Sequence, residues 1–183
     1  MRTLVAYASK HGSTREIAER IGSILGEAGV DVDVTEVSKV RHPEAYGAVV
    51  VCSAVYYGHW LKAAADFVRS HADHLATCEV WLCSSGPLGT KPTPEASDIV
   101  EFRRTIAPLD HVSLAGALDR TTLSFAERVI VKGVHAPDGD FRDWTAIDAW
   151  ASGIAEQLNA GVVNADTASG AREVRTTELP VTP

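Results

Sequence analysis

Apolar residues recur along this chain with two different periods, and the alternation between them predicts its elements. Thr3 to Ala8 is a run of β-branched, aromatic and small apolar residues suited to a buried strand; Ile17, Ile21, Ile24 and Leu25 then fall at helical spacing. Gly29 stops that helix, and Val30 to Val37 alternate apolar with acidic or hydroxyl residues, as a half-exposed outer strand does. "AVVVCSAV" from Ala48 and "EVWLCSS" from Glu79 are continuous apolar runs of strand length, the mark of central parallel strands covered on both faces. Between them, Leu61, Ala65, Phe67 and Val68 form the stripe of a helix over Leu61 to His74. A further helix is expected from Thr93, with Pro94 in its first turn, to Ile106. "HVSLAGAL" from His111 is a fifth strand. Asp143 opens a last helix lined by Ile147, Trp150, Ile154 and Leu158. The pattern predicts one α/β domain over residues 1–158, a doubly wound five-stranded parallel sheet with helices on both faces. A polar, Pro-ended tail without periodicity, residues 159–183, is expected to be disordered.

In such a sheet, ligands bind beyond the carboxyl ends of the strands, so the loops there carry the candidate chemistry. The first is "SKHGST": Ser9, Lys10, His11, Gly12, Ser13 and Thr14 place hydroxyls and a turn-making glycine at a helix start, a setting for a phosphate. Ser13 with Glu16 also reads as a capping box, which needs no ligand. The motifs of nucleotide triphosphatases and dinucleotide folds are absent. The second loop, "SAVYYGHW", contributes Ser53, Ala54, Val55, Tyr56, Tyr57 and Gly58, and with Trp60 it offers aromatic faces on which a planar ring can stack. The third, "SSGPLGTKP", contributes Ser84, Ser85, Gly86, Pro87 and Leu88 as a small-residue wall. Together the three loops describe a site for a phosphorylated planar cofactor.

Composition narrows the classes. With 183 residues and a net charge of −7, the chain is long enough for a real core and lacks the basic footprint of a nucleic-acid binder. Neither a signal-like apolar run nor an integral membrane segment is expected, so the default location is cytoplasmic, with peripheral membrane contact as the variant. Cys52 and Cys83 read as small buried hydrophobes, and with Cys78 they form no Cys-x-x-Cys pair. His71 and His74 stand a helical turn apart without a third ligand, so they read as a solvated helix face and no metal site is expected.

The loop "SKHGST" resembles the phosphate loop Thr/Ser-x-x-Gly-x-Thr of flavodoxin-like flavoproteins, with Ser9, Gly12, Ser13 and Thr14 in the matching places and Lys10 and His11 in the variable ones. Within that superfamily, "GSTREIA", "YYGHW", "DFVRSHADHL", "AGAL" and "DFRDW" resemble, in the same order, segments of the menaquinone-dependent protoporphyrinogen IX dehydrogenases and their relatives, over residues 1–158. The resemblance implies a flavodoxin-like fold and FMN as cofactor, with a deazaflavin as the alternative. It also implies an FMN-dependent oxidoreductase of the protoporphyrinogen/quinone type, whose partners are a quinone, a small-molecule reductant or a redox partner protein. The competing reading is a flavodoxin-type electron-transfer protein without its own small substrate. After "AGAL" those enzymes carry a long basic and aromatic segment; here Asp119 to His135 is shorter and mildly basic, and "LSFAERVIVKGV" within it has the spacing of an amphipathic helix. No side-chain acid or base stands out as catalytic.

Overall fold

The computed structural model describes the backbone of residues 1–86, 95–118 and 139–173. β1 (Thr3–Ala8) leads through the first loop into α1 (Ser13–Glu27), and the chain returns as β2 (Val32–Glu36). β3 (Ala48–Tyr56) and β5 (Glu79–Ser85) are the central apolar runs, and β6 (Asp110–Leu114) closes the far edge. The sheet is six-stranded in the order β2-β1-β3-β5-β6, with the short β4 (His59–Trp60) paired to β3. All pairs except β3–β4 are parallel.

Register explains why the central strands are apolar throughout. Leu4, Ala6, Val49, Val51, Val80 and Leu82 point to one face, where α2 (Lys62–Ser70) and α4 (Ser97–Thr105) cover them. Val5, Val50, Cys52, Trp81 and Cys83 point to the other, beneath α1 and α5 (Trp144–Glu173). Each face is a separate buried cluster, so neither side of the sheet tolerates polar alternation. Cys52 and Cys83 are fully buried, as expected, and neighbours in register.

Several elements differ from the periodicity reading. The aromatic segment after β3 is a β-hairpin and not a loop: Val55 pairs with Trp60 and Tyr56 with His59, and the turn residues Tyr57 and Gly58 have φ of 53° and 79°. Two successive positive φ values make a type I′ turn, whose twist suits a two-residue hairpin. The helix expected over Leu61 to His74 breaks at His71 (φ −117°, ψ 18°), and α3 (Ala72–Leu75) restarts after it. His71 and His74 therefore share no helix face and are half-buried: the His71 ring lies 5.0 Å from that of Phe67, and His74 Nε2 lies 3.2 Å from the Tyr46 carbonyl. Among the described residues no cluster of metal-ligating side chains occurs, and no helix is long and apolar enough to cross a membrane.

α4 starts at Ser97 because Ala96 is still extended (φ −59°, ψ 134°), whereas Pro94 lies outside the described residues. The fifth strand ends at Leu114; past Gly116 the backbone leaves the sheet and β7 (Ala117–Leu118) pairs antiparallel with β8 (Gly139–Asp140). Residues 119–138, with the "LSFAERVIVKGV" segment, lie outside the described residues. Asp143 opens α5 as expected, its Oδ1 accepting the Ala146 N–H at 3.0 Å. The helix runs beyond Asn159 to Glu173, into the stretch where the composition pattern placed a structureless tail, and residues 174–183 of that tail lie outside the described residues.

Candidate cofactor site

The candidate site lies where the strand order reverses. The chain leaves β1 for β2 on one side and β3 lies on the other, so the loops that follow these two paired strands run to opposite faces of the sheet. At the first of these ends Gly12 has φ 92°, a left-handed conformation that glycine adopts without strain. Its N–H donates to Ser9 Oγ at 3.0 Å and its carbonyl accepts the Glu16 N–H at 3.0 Å, so the loop is closed on itself before the helix begins.

The capping box is not formed. The residue capping α1 is Gly12, and Ser13 sits inside the helix. Ser13 Oγ instead accepts the Ala117 N–H at 2.9 Å, across 104 residues of sequence. An oxygen that accepts there keeps its own hydrogen for a further acceptor. Thr14 is buried, only 2% exposed, at the second helical position.

The other loops converge on the same point. A Cβ on Gly116 would lie 3.4 Å from Ser85 Oγ, 3.6 Å from the Gly86 nitrogen and 3.6 Å from Ser13 Oγ. A Cβ on Gly86 would lie 3.6 Å from the Val55 carbonyl oxygen. Gly86, at φ 99°, donates its N–H to the Leu114 carbonyl at 2.9 Å. The first and third loops thus close on a wall at Gly116 that the sequence reading left out of the site, and Gly86 brings in the second. The available signal was a glycine just beyond a strand's carboxyl end.

The hairpin brings Tyr56 half-buried and Tyr57 76% exposed to the rim, and Lys10 Nζ stands 5.5 Å over the Tyr56 ring. Trp60 is not part of that surface. It is 4% exposed, its ring packs edge-on against Phe102 at 5.3 Å, and its indole N–H donates to Ser84 Oγ at 2.8 Å. α4 latches the hairpin from below: Asp98 accepts the Trp60 backbone N–H at 3.0 Å, and Ser97 donates its N–H to the Gly58 carbonyl at 3.0 Å. Burial pushes the Asp98 carboxyl up, but the Trp60 N–H and Arg69 at 3.0 Å hold it below its ordinary value.

Ser53 and Ser84 turn inward. Ser53 Oγ accepts the Leu61 N–H at 3.0 Å and donates to the Ala54 carbonyl at 3.0 Å. Ser84 Oγ lies 2.9 Å from His111 Nε2, and His111 Nδ1 lies 2.9 Å from Glu95, which Arg103 clasps with two bonds of 2.6 Å. A carboxylate only accepts, so Nδ1 carries the hydrogen and Nε2 receives the Ser84 hydroxyl. Burial lowers the His111 pKa below its ordinary value, against the opposing pull of Glu95. Ala54 is half-buried beside this pair; Pro87 and Leu88 lie outside the described residues.

A flavodoxin-domain family model matches residues 4–145. The chain belongs to the flavodoxin domain family. It is a flavodoxin-like flavoprotein, and the expected fold holds, with the short β4 added to the parallel strands. The chain is 27% identical over 172 residues to the protoporphyrinogen IX dehydrogenase [quinone] of Escherichia coli (strain K12), covering 85% of this chain and 95% of that enzyme. An archaeal flavodoxin matches with TM-score 0.57 at 18% identity, covering 87% of this chain and 99% of that one. The rubredoxin oxygen:oxidoreductase of Desulfovibrio gigas matches with TM-score 0.62 at 13% identity, over 88% of this chain but 37% of that enzyme. These two likenesses carry the fold alone.

Proposed function

We propose that this flavodoxin domain binds FMN and acts as an FMN-dependent oxidoreductase of the protoporphyrinogen/quinone type. The observation that carries the reading is the convergence of Ser13, Ser85, Gly86 and Gly116 at the switch point, a cradle that a single added Cβ would fill. It is the right chemistry for an anion: a hydroxyl already aligned by Ala117 and a helix start with unpaired N–H groups. The likeness to the Escherichia coli enzyme extends along nearly the whole of that protein and supports the choice of substrate class.

When bound, the flavin supplies the redox chemistry, and the protein supplies position and environment. The Ser9 to Thr14 loop binds the phosphate, with Ser13 and Thr14 as hydroxyl donors. The hairpin holds Tyr56 and Tyr57 at the rim to stack on the ring, and Asp98 and Ser97 keep that hairpin in place. Ser85 and Gly86 close the opposite side.

The test is reconstitution of the purified protein, with affinities measured for FMN and riboflavin. Thr14→Val should weaken FMN but not riboflavin, because its hydroxyl serves only the phosphate; a charge-assisted bond of about 1.5 to 3 kcal/mol predicts a loss of tenfold or more. Equal effects on both ligands reject the phosphate loop. A deazaflavin in place of FMN would be visible in the absorption spectrum of the protein as purified. Porphyrinogen oxidation with menaquinone supports the enzyme, whereas reduction of a protein partner without porphyrinogen turnover supports an electron carrier.

A further inference from the structure

Arg142 lies outside every loop that sequence assigned to the site, yet it touches the helix that starts at the phosphate loop. Its side chain is 9% exposed. Nε and one terminal nitrogen donate to Asp140 at 2.8 and 2.7 Å, the other terminal nitrogen donates to Glu16 Oε2 at 2.6 Å, and the guanidinium lies 4.5 Å over the Trp144 ring. Asp140 is the main cause of its raised pKa, and Arg142 holds the Asp140 carboxyl low in turn.

Glu16 is the acidic residue in the first turn of α1, and its Oε1 lies 3.9 Å from where a Cβ on Gly12 would stand. The carboxylate therefore reaches back to the loop. An anion at a helix start is favoured there, so Glu16 competes electrostatically with any phosphate bound at the same end. Arg15 is 4.0 Å from the same Gly12 position, but it is half-exposed and pairs with Glu19 at 3.6 Å.

We propose that Arg142 is a positioning residue for the cofactor phosphate: its fork, braced by Asp140 and Trp144, holds the Glu16 carboxylate and cancels its charge beside the loop. Its Nε and both terminal nitrogens each bond a carboxylate, and its link to the loop runs through Glu16. The proposal rests on the FMN reading above. It also gives the paired strands β7 and β8 a role, since Ala117 orients Ser13 from one strand while Asp140 braces Arg142 from the other.

The experiment measures FMN and riboflavin affinities of the full chain, freed of flavin, for the wild type, R142Q, E16Q and R142Q/E16Q, at low and high salt. R142Q should weaken FMN about tenfold at low salt and less at high salt, as an exposed negative charge near a dianion requires. Riboflavin, without the phosphate, should change less than about twofold on the same argument. Adding E16Q should return FMN affinity close to wild type. Equal weakening of both ligands by R142Q, or no recovery in the double variant, would show that Arg142 is only a structural tie. If R142Q does not fold, E16Q alone decides, since it should bind FMN at least as tightly as wild type and a loss overturns the proposal. The Thr14→Val comparison separates the two failures. If Thr14→Val spares FMN, the phosphate reading falls and this one with it; if it discriminates and R142Q does not, only the Arg142 role is lost.

Discussion

Single side chains in this protein are held by partners far away in sequence, which makes their roles measurable. Trp60 donates its indole N–H to Ser84 and fills the space beside Phe102. Trp60→Phe should cost about 2 kcal/mol in urea unfolding, from the lost bond and the smaller ring. His111 gives a pH signature. Burial keeps it neutral in the folded protein, with Glu95, Arg103 and Asp110 as the charged groups around it. Its lowered pKa means that the unfolded chain binds the proton more readily. The stabilisation is full above the ordinary value of 6.5 and is lost as pH falls below it. Unfolding free energy should therefore drop as the solution is acidified below pH 6.5, and His111→Gln should flatten that slope. At this scale the sequence was readable where a residue's partner is near. Gly12 turns where expected, but Ser13 was open to reading as a helix cap because Ala117, which binds it, lies 104 residues on. Trp60 could be placed on the aromatic surface for the same reason: nothing local in "YYGHW" says that Ser84 and Phe102 are waiting beneath it.

At the scale of elements, two fits decide behaviour. α1 lies so close on the sheet that a Cβ on Gly22 would come within 2.2 Å of Val34 Cγ2. Gly22→Ala would ordinarily favour a helix by about 1 kcal/mol. Here the clash with a stiff side chain outweighs it, and a net loss of about 1 to 3 kcal/mol is expected in thermal or urea unfolding. The hairpin is the second. Asp98→Ala leaves the Trp60 N–H and Arg69 without their shared partner, so a loss of about 2 kcal/mol is expected, with faster hydrogen exchange at Trp60. Gly58 is a contrast: a Cβ there meets nothing within 4 Å, and only its φ of 79° resists alanine. Gly58→Ala should cost about 1 kcal/mol, and because it sits at the rim of the proposed flavin site it should shift the reduction potential of bound flavin. Potentiometry checks that shift; an unchanged potential would leave the hairpin as a lid. Element types were legible from periodicity, since strands with two covered faces and helices with one are distinct patterns. The hairpin was hidden because its second strand has two residues, and the break at His71 because the apolar stripe continues across it.

For the whole molecule, the alternation of strands and helices was enough to anticipate a doubly wound sheet, and the order β2-β1-β3-β5-β6 puts the candidate site where the loops after β1 and β3 part. What the sequence could not supply was the closure from beyond β6, because Gly116 and Arg142 reach the first loop only when both ends of the sheet are assembled. That sheet order also has a consequence for biosynthesis. β1 emerges from the ribosome before β2 and β3, yet one of its two edges is reserved for β3, so β2 alone cannot complete it. A nascent chain halted before Ala48 would expose the Thr3–Ala8 edge, with its buried Leu4, Val5 and Ala6, to any passing strand. Chaperone capture and aggregation should therefore persist in ribosome-bound chains through the emergence of β3, whose other edge is reserved for β5, and fall once β5 has cleared the exit tunnel.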